Sequence, residues 1–300
     1  MSSEIGMLYP IPPYNFESTV AAARYSRVLG VARDGVFRRA LRVGDAIVLV
    51  EVSSRGAVDA PALAVRQVAA SAPVDARTVL DAAARILNVR GDLRPFYALA
   101  RGDEALWRVV EPLHGLHMLQ TETLFEALML TIVEQQISLA AAQRAHRWLL
   151  AWAGESISAG DETYFVFPRA EGLASATVEQ LTPLKITFRR MQAMIDLARR
   201  ERERPLERLR ALPSDEAYAE LIGLKGVGHW TAAWTMTRGL GHYIYIGSAD
   251  VALRAAVNHY FYGETGRCPA NVTDATFARY GEYAGLAGFY TISRWAFERY

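Results

Sequence analysis

Nine residues, Leu224-Lys225-Gly226-Val227-Gly228-His229-Trp230-Thr231-Ala232, constrain this chain more than any other stretch. They lie between two segments of helical periodicity, at 215–222 and 229–239. Two glycines around one apolar residue suit a tight turn between helices. Glycine accepts positive φ without steric cost, and its missing side chain lets the backbone approach a bound group closely. Thr231 and Ala232 are small enough for the second helix to close on the first. The amides of Gly226 and Gly228, with those opening the second helix, then face outward at a positive helix end, which is an anion site. A plain glycine-capped helix–turn–helix explains the tripeptide alone just as simply. Asp250, which follows Gly226 by 24 positions, adds the second constraint. An acid one helix and one loop later reaches whatever carries the bound anion.

The bulk numbers bound the rest. Three hundred residues at 51% hydrophobic bury one large core or two, and a charged fraction of 22% is that of a globular chain. With 33 basic and 32 acidic residues the net charge is +1. A nucleic-acid partner then requires a locally basic face, not a basic protein. The single cysteine, Cys268, excludes an intrachain disulfide and a cysteine-ligated iron–sulfur cluster. Residues 1–14 lack a basic stretch followed by an apolar core, and no uncharged apolar run reaches about 18 residues. The expectation is a cytoplasmic protein without membrane association.

The strand signal is confined to the first hundred residues. A helix is expected over 16–28, with Val20, Ala23 and Arg24 one turn apart and Ser18 or Thr19 as its cap. Strands are expected over 35–43 and 46–52 around the Gly44-Asp45 turn; 62–69 suits strand or helix and is taken as a strand, and a helix follows over 75–87. Beyond Asp92, helices are expected over 103–111, 123–152, 178–181, 188–203, 215–222, 229–239, 251–260, 274–283 and 290–297, with prolines between them. The predicted class is α+β. A small antiparallel-sheet domain (1–100) precedes a mostly helical domain (101–300) that carries the helix–hairpin–helix at about 215–239.

The hairpin and its aspartate resemble the helix-hairpin-helix DNA glycosylase superfamily, whose pattern is Leu-x-Gly-Val/Ile-Gly-x-x-Thr/Val-Ala followed by a loop and an aspartate. Ser248-Ala249-Asp250-Val251-Ala252-Leu253-Arg254-Ala255-Ala256, Ile132-Val133-Glu134-Gln135-Gln136-Ile137-Ser138 and Leu184-Lys185 with Arg189-Arg190-Met191 extend the likeness. The N-terminal α+β unit and Pro12-Pro13-Tyr14 are similar to the bacterial 3-methyladenine DNA glycosylase II branch.

The resemblance implies an enzyme of base excision repair that flips a damaged base out of double-stranded DNA and hydrolyses its N-glycosidic bond. Such a reaction builds positive charge on the sugar, and a carboxylate beside the anomeric carbon stabilises it. Asp250 is the candidate, and it also suits the N-cap of the following helix. Superfamily members that cut the strand carry a lysine four residues after the first hairpin glycine. That position is Trp230, which implies a monofunctional enzyme, while Lys225 precedes the hairpin. The resemblance places Gly226, Val227, Gly228, Thr231 and Gln136 against DNA, with Gln136 entering the duplex and Gln135 structural. Trp230, Trp234 and Trp295 become pocket residues whose indole faces favour a cationic alkylated purine of the 3-methyladenine or 7-methylguanine type. Trp107, Trp148 and Trp152 read as core.

No cofactor is required by this reading. A structural Na+ or K+ at the carbonyls of Ile222, Leu224 and Val227 is implied by resemblance only. His114, His117, His146, His229, His242 and His259 show no metal spacing, and 199–204 reads as a solvated helix end. A monomer is expected. Three departures from the pattern bear on substrate range: Ser248 for a proline, Glu134 for a glycine, and no arginine in 285–290. Two other readings remain: a glycosylase for an oxidised or deaminated base, and a non-catalytic hairpin module that only binds DNA.

Overall fold

The computed structural model describes residues 3–21, 23 and 30–299. Five antiparallel strands form one sheet in the order β1-β5-β4-β3-β2: β1 (Ser3–Leu8), β2 (Val31–Arg33), β3 (Val36–Val43), β4 (Ala46–Ser54) and β5 (Leu63–Ala70). Alternation along β4 buries both faces. Val48, Val50 and Val52 pack against α1 (Phe16–Ala21) and α2 (Ala76–Ile86). Ile47 and Leu49 meet Tyr164 and Val166 on the other face. That second face is covered by a hairpin, β6 (Ser156–Ala159) and β7 (Glu162–Phe165), contributed from within the otherwise helical part. β2, β6 and β7, of three or four residues, are too short for alternation to have announced them, and in β1 a register shift between Glu4 and Gly6 interrupts the pattern. Asn15, not Ser18 or Thr19, caps α1, accepting the Ser18 amide at 3.0 Å. Thr19 is buried and accepts the His117 amide. Apart from Ala23, the stretch 22–28 of the expected first helix lies outside the described residues.

The helices that follow are α3 (Arg94–Arg101), α4 (Glu104–Val110), α5 (Leu124–Glu134), α6 (Leu139–Ala153), α7 (Ala170–Ala174), α8 (Val178–Leu181), α9 (Phe188–Glu203), α10 (Ser214–Ile222), α11 (His229–Thr235), α12 (Val251–Tyr262), α13 (Ala270–Ala278) and α14 (Ala284–Phe297). α3 and α7 were not anticipated. The helix expected over 123–152 is two helices. Gln136 takes a left-handed φ of +54°, and Ser138 restarts the chain as N-cap of α6. α11 runs into a π turn, Met236–Leu240, closed by Gly241 at φ +69°.

α5 is apolar on every side and buried on every side, so it is the central helix. Leu124, Leu128 and Ile132 share a core with α6 to α11. A second core joins α3 and α4 to α12, α13 and α14 through Phe96, Val110, Leu253, Phe277 and Tyr290. Trp148 and Trp152 stack one turn apart on the first core, and Trp107 packs on the second. No helix among the described residues is long and apolar enough to cross a membrane.

A buried ion pair ties the sheet to the central helix. Arg39 on β3 donates to both oxygens of Glu126 on α5, at 2.9 and 3.2 Å. Glu126 also accepts the Glu122 amide at 2.8 Å, and Glu122 accepts the Arg42 amide at 2.8 Å. Burial pushes the Glu122 carboxyl up from 4.5 to about 7, against the attraction of Arg39. The folded state therefore holds a proton that the unfolded chain releases, so this group's contribution to stability falls as pH rises from about 4.5 to 7. Glu122→Gln keeps an acceptor for Arg42 and removes the titration. We expect it to reduce the fall in stability across that window and to stabilise the protein by about 3 kcal/mol above it. Urea unfolding at pH 5 and pH 8 checks this; parallel pH dependence in both proteins would refute it.

Candidate active site

The site lies where the two helical cores meet. α10 and α11 flank the hairpin and belong to the first core, while α12 and α14 belong to the second. Gly226 has φ +90°, where a side chain is strained, and a Cβ there would also meet Ala193 Cβ at 3.1 Å. Gly228 is extended, at φ −98° and ψ 178°, with open space around it; it is the N-cap of α11 and does not need glycine's freedom. Among the described residues no partner takes the amides of Gly226 or Gly228. Val227 turns inward, and its amide donates to the Leu224 carbonyl at 3.1 Å. Lys225 is exposed on the turn.

Gln135 braces the hairpin from the end of α5. Its Nε2 donates to Thr231 Oγ1 at 2.8 Å and to the Gly226 carbonyl at 3.2 Å, while Arg190 on α9 donates to the Gln135 carbonyl. Thr231, expected on the DNA side, is therefore an internal strut; it is 2% exposed. Val227 is corrected in the same way. Gln136, next along, is exposed at the helix break, as an inserting residue requires. Phe188, two residues from Arg190, adds an aromatic ring that is 70% exposed. Helical periodicity gave no hint of it, because it occupies the first position of α9.

Asp250 caps α12. Oδ1 accepts the amides of Ala252 at 2.9 Å and Leu253 at 3.0 Å, and Oδ2 accepts the indole N–H of Trp230 at 3.2 Å. The cap and the candidate catalytic roles thus fall on one side chain, with its carboxylate held from two directions. The loop before it is a hydrogen-bonded turn. Ser248 donates its amide to Ile246 and Asp250 donates its amide to Gly247, so the missing proline is replaced by backbone bonds.

Trp234 stands one turn beyond Trp230. Arg238 lies 5.0 Å from its ring centroid, so a cation already occupies a face of this ring. Its buried indole nitrogen has no partner among the described residues, and Trp234 lines a small cleft with Tyr245, Gly247, Gly285 and Phe289. Trp295 is not brought to the site. It packs on His259 and Tyr260, nine and ten residues into the helix that Asp250 caps, roughly 14 Å along its axis. α14 runs alongside α12, so Gly288 meets Leu253 near Asp250 and Trp295 lies two turns further on. A position in α14 nearer Gly288 is needed to face the carboxylate, which sequence spacing did not reveal.

The other departures find physical reasons. Glu134 accepts from Arg238 at 2.6 Å and lies 3.8 Å from His146, so its charge is paired. In 285–290 the two glycine positions have no room for a side chain: a Cβ on Gly285 would meet the carbonyls of Tyr243 and Tyr245 at 2.5 Å, and one on Gly288 would meet Ile246 Cδ1 at 2.7 Å. A cavity of about 640 Å3 lies at the far end of the π turn and is bounded by Arg42, Arg85, Asn88, Arg210 and Gly241. It contains none of these groups. His117 is buried against the Pro13 carbonyl, and burial holds its ring down at about 4.

No family model matches the chain. Its sequence is similar to a DNA-3-methyladenine glycosylase from Bacillus subtilis (strain 168), at 32% identity over 153 residues, 50% of each chain. The chain spans about half the length of the curated relatives it matches. In fold it is similar to a 3-methyladenine DNA-glycosylase from Archaeoglobus fulgidus, with a TM-score of 0.81, 21% identity, and 98% and 99% of the two chains covered. It is also similar to an 8-oxoguanine glycosylase/lyase from Clostridium acetobutylicum in complex with double-stranded DNA, with a TM-score of 0.70, 17% identity, and 87% and 89% covered. The expected α+β fold is thus borne out, and the resemblance to DNA-3-methyladenine glycosylases recurs in these relatives.

Gly247 is the tightest point of the site. A Cβ there would lie 2.8 Å from Trp230 Cδ1 and 3.0 Å from Trp234 Nε1. Gly247→Ala is expected to displace both rings, cost about 1–3 kcal/mol of stability, and shift tryptophan fluorescence. An unchanged emission spectrum and melting temperature would show that the loop absorbs the methyl group freely.

Proposed function

We propose that this chain, which has the fold of the helix-hairpin-helix DNA glycosylases together with their hairpin and aspartate, is a monofunctional DNA glycosylase acting on alkylated purines. The observation that carries the reading is the carboxylate of Asp250, held by the first turn of α12 and by Trp230 beside an exposed hairpin with unpartnered amides. Those amides suit a backbone phosphate, and the carboxylate suits the positive charge that develops on the sugar as the base departs. Gln136 is the residue proposed to enter the gap left by the base. Water is the nucleophile, because the position of the strand-cutting lysine is Trp230, whose N–H is engaged by the carboxylate itself.

Support for an alkylated purine comes from the activity for which the Bacillus subtilis relative is named and from the indole of Trp230 at the carboxylate. One observation favours a second reading, an oxidised or deaminated base: the unpartnered N–H of Trp234 is a donor that a neutral base could use. The oxygens of Ile222, Leu224 and Val227 are proposed ligands for Na+ or K+. Among the described residues the Leu224 carbonyl accepts the 3.1 Å bond from Val227 and no other, and such an ion would add positive charge toward a phosphate.

Single-turnover reactions on duplexes, each with one defined lesion, test this by scoring released base and abasic sites. We expect release from 3-methyladenine or 7-methylguanine duplexes, with Asp250→Asn slower by about 10²–10³-fold, and no borohydride-trapped adduct. Identical behaviour of wild type and Asp250→Asn on every lesion would leave a DNA-binding module, and trapping as the main course would make the enzyme a lyase.

A further inference from the structure

His229 is exposed at the first position of α11, yet both of its ring nitrogens are engaged. Nδ1 lies 2.6 Å from the hydroxyl of Tyr218 on α10, and Nε2 lies 2.7 Å from the carbonyl of Ile246. A carbonyl has no proton to give, so Nε2 is the donor. In the neutral ring Nδ1 then accepts from Tyr218. Tyr218 is fixed in turn by stacking on Tyr245, with centroids 3.8 Å apart and planes 18° apart. The Ile246 carbonyl also accepts the Ser248 amide at 3.0 Å, and the Gly247 carbonyl accepts the Asp250 amide at 2.9 Å. An unbroken chain of hydrogen bonds therefore runs from the hairpin through His229 to the turn that carries Asp250.

We propose that His229 is a positioning residue, whose ring sets the distance between the phosphate-binding hairpin and the carboxylate of Asp250. The inference rests on the glycosylase reading. Two bound points of one DNA strand, a phosphate at the hairpin and a sugar at Asp250, require a fixed spacing between the elements that hold them. The hairpin and the loop at 241–250 touch through single aromatic rings, Tyr245 on the hairpin's core and Trp234 on the other, and the His229 bond adds a directed link between them. Ser248 lacks the ring restraint of proline. The His229 bond holds the loop two residues earlier, and the Trp230–Asp250 bond is the neighbouring strut.

His229→Ala is expected to slow single-turnover base release at saturating enzyme about ten-fold, with DNA affinity changed less than two-fold. His229→Gln places an amide donor where Nε2 was and is expected to recover most of the rate, and Tyr218→Phe is expected to fall between wild type and His229→Ala. Melting curves confirm that each variant folds; should His229→Ala fail to fold, the Gln and Phe variants carry the comparison. Nitrogen-15 NMR of the neutral ring reads the bond without any substrate, and an Nε2-protonated tautomer is expected. An Nδ1-protonated ring, a Gln variant no better than Ala, or lost DNA affinity with an unchanged rate would overturn the proposal. Failure of the wild type to release any base would instead overturn the glycosylase reading, and the tautomer would still report the bond.

Discussion

The side chain of Gln135 is the contact on which the rest of the site depends. An amide nitrogen has two N–H donors, and here one is directed at the Gly226 carbonyl and the other at the Thr231 hydroxyl. Its own carbonyl receives Arg190. The end of the central helix, the hairpin and the start of α9 are thereby joined at one residue. The chain then leaves at Gln136 in a left-handed conformation, which costs about 1–2 kcal/mol for a residue with a Cβ. Such strain persists only where neighbours over-determine it. The brace on one side and the Ser138 cap on the other supply that constraint, and an exposed glutamine projects between them.

Small residues and paired acids do the rest. Glycine at 247 lets two indoles close over the loop, and glycine at 285 lets the carbonyls of Tyr243 and Tyr245 pass close to α14. Glu134 stands near the face assigned to DNA, where a bare carboxylate would repel phosphate, but Arg238 neutralises it and in doing so covers a face of Trp234. A departure that seemed to concern DNA affinity thus also bears on the pocket. It narrows the aromatic candidates at the carboxylate to Trp230.

Much of the fold was legible because its signals are local. Alternation marked β3 and a short apolar run marked β4, the stretch of β5 suited a helix as well as a strand, and proline and cap residues marked α2, α4, α9, α10 and α12 to within a few positions. The failures have a common origin. The run 123–152 continues its helical pattern across the polar Glu134-Gln135-Gln136 segment, and nothing in periodicity reports that Gln136 will adopt positive φ. The strands β6 and β7 exist because the exposed face of the sheet, with Ile47 and Leu49, needs covering. That need arises only once the sheet is assembled.

By itself the sequence determined the parts whose chemistry is written into short spacing: a turn that needs glycine at 226, an aspartate that caps α12 whatever packs around it, and no lysine at the position held by Trp230. Backbone sterics and helix capping act over a few residues, so they survive translation into a string. Tertiary structure alone decided which side chains meet. Trp295 matched a pattern yet sits two turns too far along α14, Thr231 faces Gln135 and not solvent, and His229 bridges two elements that are 17 residues apart. These outcomes depend on how helices from two separate cores are set against each other, and no local periodicity encodes that.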